Sequence, residues 1–423
     1  MSLKKNFCPS PWFHMRINNA GEYEYCRWAK KENKFSAKSI HTVGPAEFFQ
    51  THMEPIRTAM RHGDKVTGCD ACYQMEQYAK VSGRERQLLK IGVTLNQFEK
   101  TMASSPWLSQ FVNDNFSQHP QDWQIDLGNY CNSACVFCSP VSSSRLATEW
   151  KKIGISTTEI KPNWADDPAL VAKFVDTLES SPHIQYLHFI GGETLITPAF
   201  QTILEALIRS GLNRTATIGF TTNLITWNEP VIELLKQFSG LNLGMSIESF
   251  TPINEYVRWP ATMSVVSQML DRWRVLANSH NWLMQFRITP TVLSVGDLLS
   301  VHDYAWQHGI AVESCNFFND PSFMKPSVLP IQYREPIIDR MQSWLNDRTY
   351  KKDTVINTRN PDFAQDQVTQ DLKSYVNYLG NEPDESHQLP NLINYLKRLE
   401  SNRGNSILTY LPEYEQLFRT AGY

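Results

Sequence analysis

The sequence predicts an α/β protein, and three observations predict it. Short apolar runs alternate with amphipathic stretches across the middle of the chain, the signature of repeated strand–helix units. The amphipathic stretches place apolar residues near i, i+3, i+4 and i+7, the spacing of a helix with one buried face. At 423 residues with 41% apolar, 20% charged and 12% aromatic residues, the chain can bury a sizeable core in one large α/β domain with extensions, or in two or three domains.

Taken in order, the strands are WQIDLG (123–128), IQYLHFI (184–190), ATIGFTT (216–222), LNLGMSIES (241–249), LMQFRITPTV (283–292) and IAVESCNFF (310–318). Between them, AFQTILEALIRSG (199–211), PVIELLKQFSG (230–240) and VVSQMLDRWRVLAN (265–278) read as helices. A polar loop and an extra helix occupy the long first connection. Six strands with parallel crossovers fit a partial βα barrel or an open doubly wound sheet, and the pattern alone does not choose between them.

Around this middle region, 116–320, lie two others. Residues 1–115 are polar, hold Cys8, Cys26, Cys69 and Cys72, and contain one hairpin signal, MRINNAGEYEY, alternating about an Asn-Ala-Gly turn. Residues 321–423 read as mostly helical, with PIIDRMQSWLND (336–347), DLKSYVNYLG (371–380) and LPNLINYLKRLES (389–401) separated by Asn-, Asp- and Pro-rich breaks. They carry no obvious chemistry by motif.

The net charge of −3 gives no general reason to expect nucleic acid or anionic membrane as a partner. No apolar run approaches the roughly 18 to 20 residues of a membrane helix, and the N-terminus lacks the apolar stretch of a signal peptide. The expected compartment is the cytoplasm, where thiols stay reduced and clustered cysteines point to metal ligation or catalysis. Eleven His occur without an H-E-x-x-H pairing. No Walker loop, G-x-S-x-G elbow or dinucleotide fingerprint is present.

Three of the eight cysteines fall in CNSACVFC (131–138), directly after the first predicted strand of the middle region. Loops at the C-terminal ends of strands are where α/β enzymes keep reactive groups. Cys131, Cys135 and Cys138, at spacing C-x3-C-x2-C, can wrap one face of a four-iron four-sulfur cluster and leave one iron without a protein ligand. Closed structural zinc takes four ligands, and no fourth Cys or His lies nearby in sequence.

CNSACVFC resembles the cluster motif of the radical S-adenosylmethionine (SAM) superfamily. The resemblance implies that the open iron chelates SAM, and that reductive cleavage of the sulfonium yields a 5'-deoxyadenosyl radical that abstracts hydrogen from a substrate. It also implies a partial (β/α)6 TIM-type barrel as the core. Phe137 matches an aromatic residue that shields the cluster and contacts adenine. Gly191, Gly192 and Glu193 in GGET resemble the motif that lies against the SAM amino group; glycines allow close backbone approach and a carboxylate can accept from an ammonium. Thr222 and Asn223 in TTNL fall where the superfamily has polar SAM contacts. Ser246 and Glu248, alternate residues of one strand, share a face, and Arg258 in NEYVRWP matches an Arg near the SAM carboxylate.

Cys8, Cys26, Cys69 and Cys72 suffice to close a second metal site, iron–sulfur or zinc. Their surroundings, FCPSPW, the hairpin and GCDACYQMEQ, resemble the SPASM or twitch auxiliary-cluster modules of radical SAM enzymes, which implies an auxiliary four-iron four-sulfur cluster. Here the module precedes the barrel; in most enzymes that carry it, it follows. Cys315, on the last predicted strand, reads as a buried inert thiol or, facing inward, as a hydrogen donor.

The expectation is therefore a radical SAM enzyme, oxidoreductase-like or peptide-modifying, with an auxiliary cluster domain (1–115), a partial barrel (116–320) and a C-terminal helical extension (321–423). The expected substrate is a peptide or protein side chain, with a reducing partner such as flavodoxin or ferredoxin. Two alternatives stand beside it: a radical SAM enzyme acting on a small metabolite or nucleotide, and a non-enzymatic protein with zinc at both sites.

Overall fold

The computed structural model describes residues 6–26, 38–77, 82–91, 93–94, 98, 100, 111, 119–155, 160, 162–181, 183–314, 317–348 and 361–423. Cys315 lies outside them. The chain groups into two compact units: Met1–Asn129, Lys161–Phe220 and Asn228–Leu241 form the first, and Tyr130–Ile160, Thr221–Trp227 and Asn242–Tyr423 the second. Parallel strands and covering helices make up both, so the predicted α/β class is what the structure has.

In unit 1 the hairpin strands β1 (His14–Ile17) and β2 (Tyr23–Glu24) pair antiparallel, with Arg16 opposite Glu24 and Ile17 opposite Tyr23. The Asn18 side chain closes the turn by accepting from the Ala20 and Glu22 amides at 3.0 Å each. An Asx-type bond of this kind does the work of a backbone turn. Beside the hairpin run β3 (Asp122–Asp126), β4 (Tyr186–Ile190) and, as far as Phe220, β5 (Thr217–Thr222). β1 pairs parallel with β3, Met15 opposite Trp123; β3 pairs with β4, Ile125 opposite Phe189; β4 pairs with β5, Phe189 opposite Phe220.

Period-2 alternation divides this sheet into two faces. Trp123 packs edge-on against Phe174 of helix Pro168–Glu179, and Phe189 and Phe220 both meet Phe200 of helix Pro198–Arg209. The alternate positions are polar: His14 Nδ1 lies 3.0 Å from Asp122, and Arg16 pairs with Glu24 at 2.8 Å and with Asp126. Alternation made these strands recognisable, but it does not name a partner, and nothing local in HMRI shows that it extends the sheet past Asp122.

Unit 2 contains β6 (Gly240–Ser246) from Asn242 on, β7 (Leu283–Ile288) and β8 (Ala311–Ser314), parallel, with Ser246 opposite Arg287 and Arg287 opposite Glu313. Phe286 is buried against Phe250 and against Tyr304 of helix Leu298–His308. Helix Pro361–Asn381 lies along β8 and also packs on Leu298–His308 and Ile331–Asn346. Among the described residues no helix is long and apolar enough to cross a membrane.

Candidate cluster and cofactor site

In unit 2 the loop bearing Cys131, Cys135 and Cys138 is tied through its backbone. Ser143, which caps helix Ser144–Lys152 by accepting from the Leu146 amide at 3.1 Å, donates its hydroxyl to the Ser133 carbonyl at 2.6 Å. The Ala134 amide donates to the Trp259 carbonyl at 2.8 Å and the Val136 amide to the Val257 carbonyl at 2.9 Å. A turn from the Cys138 amide to the Cys135 carbonyl, 3.0 Å, brings the last two cysteines together. Cys135 is buried and the other two are half-buried.

Arg258 and Glu248, both picked out by the sequence, form a buried pair: Nε and Nη2 donate to Glu248 Oε1 at 3.2 and 2.9 Å. The other carboxylate oxygen accepts from the Thr289 amide at 2.6 Å. Arg258 Nη1 also reaches Cys135 Sγ at 3.8 Å, and its guanidinium lies 5.4 Å from the Phe137 ring centroid. Burial pushes the Glu248 carboxyl up, against the pull of Arg258 and the Thr289 amide. Burial likewise raises Cys135, with Arg258 opposing and Glu248 adding.

The TTNL residues serve the loop itself. Asn223 donates to Asn132 Oδ1 at 2.7 Å and to Ser133 Oγ at 3.0 Å, and its own carbonyl oxygen accepts from the Ile225 amide at 3.1 Å. Thr222 is fully buried, and its hydroxyl accepts from the Leu224 amide at 3.4 Å. Ser246 ends β6.

Two further side chains hold the loop. Tyr395 donates its hydroxyl to the Val136 carbonyl at 2.8 Å, and Arg403 Nη2 donates to the Ala134 carbonyl at 2.7 Å. Both lie in helix Leu389–Arg403, in the region that motif reading left without chemistry. No signal in LPNLINYLKRLES could have found them, because their partners lie some 260 residues away.

In unit 1 the GGET segment follows β4. Gly191 has φ +143°, and a Cβ there would come within 2.5 Å of the Gly128 carbonyl oxygen. Its lack of a side chain is what allows the two backbones to meet, with the Gly192 amide donating to that same oxygen at 2.8 Å. Glu193 is fully buried and caps the short 3₁₀ turn Thr194–Ile196 by accepting from the Leu195 amide at 3.3 Å.

Unit 1 also gathers the other four cysteines. Cys8, Cys26, Cys69 and Cys72 line one pocket, with Ser10, Tyr25 and Arg84. Cys72 lies in the first turn of helix Asp70–Gln77, and burial pushes its thiol up, against hydrogen bonding from the backbone of Arg84 and Gly83 at the start of helix Gly83–Lys90. Tyr25 Oη lies 3.7 Å from Cys69 Sγ. Arg84 is pinned by Glu76, Nη2 to Oε2 at 2.5 Å. Burial pushes Cys8 up to about 12 and Cys69 to about 11, so without a metal these thiols keep their protons. Among the described residues no three Cys, His, Asp or Glu side chains converge to hold a single metal ion.

Both donor sets suit iron–sulfur chemistry. Thiolates are its ligands, crowded thiols repel one another when ionised, and metal ions relieve that repulsion by replacing protons. In the loop, the donors are three and a buried cation stands against the middle one.

Residues 125–278 match the family model for the radical SAM superfamily. The chain is an enzyme, and over those residues it is similar to the radical SAM domain. That domain implies a four-iron four-sulfur cluster and SAM as cofactors, and the non-enzymatic alternative falls with it. No curated protein matches the chain. Among solved structures, Streptococcus suis SuiB bound to S-adenosylmethionine is 12% identical with a TM-score of 0.39, over 82% of this chain and 71% of that one. SuiB bound to its precursor peptide SuiA is 10% identical, TM-score 0.38, over 82% and 70%. Native anSMEcpe with bound AdoMet is 15% identical, TM-score 0.38, over 53% of this chain and 60% of that one. The assignment rests on the family match.

Proposed function

We propose that Cys131, Cys135 and Cys138 hold the four-iron four-sulfur cluster, that SAM chelates the iron they leave open, and that the enzyme abstracts hydrogen from a peptide or protein side chain. The observation that carries this reading is the loop in which Arg258 presses a buried positive charge on the middle one of three neighbouring thiols. When bound, the cluster supplies the electron that cleaves SAM to a 5'-deoxyadenosyl radical.

The chain's own groups bind and orient. Arg258, held by Glu248, offsets the negative charge that three thiolates bring into a buried loop. Phe137 shields the loop beside that guanidinium, and Asn223 fixes Asn132 and Ser133 so that the cysteines keep their spacing. Gly191, Gly192, Glu193, Thr222 and Ser246 are assigned to the SAM-binding surface. Strands β3 to β8 are read as the partial (β/α)6 barrel, which keeps water and competing hydrogen donors from the radical.

Cys8, Cys26, Cys69 and Cys72 are assigned to an auxiliary four-iron four-sulfur cluster that relays electrons. The shared pocket supports that assignment, as do the sulfur-directed donors from Tyr25 and from the amides of Gly83 and Arg84. Peptide as substrate follows from the resemblance of this region to SPASM and twitch modules, and a flavodoxin or ferredoxin would supply electrons in the cytoplasm.

The test is anaerobic reconstitution followed by SAM and dithionite. Wild-type protein is expected to release 5'-deoxyadenosine, and Cys135→Ala none. Equal release from both proteins would overturn the reading.

A further inference from the structure

Cys135 is bracketed on both sides by fixed backbone. The amides of its neighbours, Ala134 and Val136, are held by the carbonyls of Trp259 and Val257. Their carbonyls are held by helix Leu389–Arg403: Arg403 takes Ala134 at 2.7 Å and Tyr395 takes Val136 at 2.8 Å. Four backbone groups around one cysteine are thus tied down, two of them by side chains from the C-terminal region.

The same helix also holds the segment that carries Arg258. Glu400 accepts from Tyr256 Oη at 2.7 Å, from Tyr423 Oη at 2.7 Å and from the Ile407 amide at 2.6 Å. Arg403 is itself neutralised by a buried carboxylate. Its Nε and Nη2 donate to Glu149 at 2.9 and 2.6 Å, and the two side chains are 1% and 5% exposed. Trp259 lies across the guanidinium at 4.9 Å.

Burying such a pair carries a large desolvation cost, and apolar residues of similar volume would stabilise the packing as well or better. A charge pair kept at this place does something an apolar pair could not. It puts a cation whose field reaches Cys135 next to the backbone of the loop, and an anion behind it.

We propose that helix Leu389–Arg403 is a working part of the catalytic cluster site. Arg403 and Tyr395 are positioning residues that fix Cys135, and the Arg403–Glu149 pair sets the charge under which the cluster takes up its electron. This rests on the reading of Cys131, Cys135 and Cys138 as the cluster ligands. Cluster potentials respond to local charge and hydrogen bonding, so removing either member of the pair must shift the potential in a direction set by its sign.

The test uses the full chain, reconstituted anaerobically and titrated with dithionite. The signal followed is the reduced-cluster electron paramagnetic resonance signal that changes on adding SAM, a change expected only of a cluster with an open iron. Arg403→Gln is expected to lower the midpoint potential, Glu149→Gln to raise it, and Arg403→Lys, which keeps the charge, to stay nearer the wild type than Arg403→Gln. Tyr395→Phe is expected to alter the line shape at unchanged iron content. If Arg403→Gln does not load, the upward shift of Glu149→Gln and the Tyr395→Phe spectrum carry the test. Unchanged potentials and spectra in loaded variants, or shifts of one sign for both members of the pair, would overturn the proposal while leaving the cluster assignment intact. A wild-type protein without a SAM-responsive signal would overturn both.

Discussion

The three thiols at 131, 135 and 138 stand on one loop of unit 2, within eight residues of one another, whereas the four of unit 1 are collected from positions 8, 26, 69 and 72. The loop is stiffened from outside, by Arg258, Asn223, Tyr395 and Arg403. The pocket stiffens itself, through Tyr25 on one sulfur and the amides opening helix Gly83–Lys90 on another. The difference teaches what each set is suited to. On the proposed assignment, three donors would leave a metal position for a small molecule, and the side chains around them would hold the opening in place. Four donors can close a site that needs no further ligand.

Removing one set and keeping the other gives the largest contrast. Replacing Cys131, Cys135 and Cys138 together by Ala is expected to abolish 5'-deoxyadenosine release and to lower iron and sulfide by about four each per chain, the content of one cubane. Replacing Cys69 and Cys72 by Ala is expected to remove the metal of unit 1 while SAM cleavage driven directly by dithionite stays within the same order of magnitude. Metal analysis of the two variants checks both. Zinc lost in the second would identify that site as structural zinc, and loss of SAM cleavage there would break the division of roles.

A smaller effect sharpens the electrostatic side of the comparison. Glu248→Ala leaves Arg258 buried without its carboxylate, a change that costs about 3 to 5 kcal/mol when a buried pair is broken. The exposed Lys236–Glu233 pair is expected to give under about 1 kcal/mol in Glu233→Ala. Denaturant unfolding measures both, and similar losses would show that burial is not the deciding factor.

Gly191→Ala tests the backbone approach in unit 1. Its φ of +143° and the Gly128 oxygen 2.5 Å from a built Cβ lead to an expected loss of about 1 to 3 kcal/mol from strain, again by denaturant unfolding. The smallest effect concerns pH in the metal-free protein. Burial holds the Cys8 proton up to about 12, against an ordinary value of 9.0. The unfolded chain therefore ionises first, and apoprotein stability is expected to fall as pH rises from 9 toward 12. Metal-loaded protein, whose thiols are already deprotonated, is expected to lose this dependence, and melting temperatures across that range decide the matter.

Much of the fold was legible because alternation and helical spacing are local. Strand LNLGMSIES ends earlier than its pattern suggests, at Ser246, since Glu248 turns to meet Arg258 and the Thr289 amide. LMQFRITPTV ends at Ile288, two residues before Pro290, which cannot donate to a ladder. The hairpin was readable, but its parallel pairing with β3 joins residues more than 100 positions apart, and no local pattern encodes that choice.

By itself the sequence determined which donor side chains this protein can offer a metal. C-x3-C-x2-C packs three thiolates into a stretch short enough that covalent geometry alone keeps them near one another, and the strand and helix periods follow from the same short-range rules. Only the tertiary structure decided what surrounds those thiols. Arg403, Tyr395 and Glu149 acquire their roles by burial next to a loop far away in the chain, and the partners that make burying a charge or a hydroxyl tolerable exist only once the chain has folded.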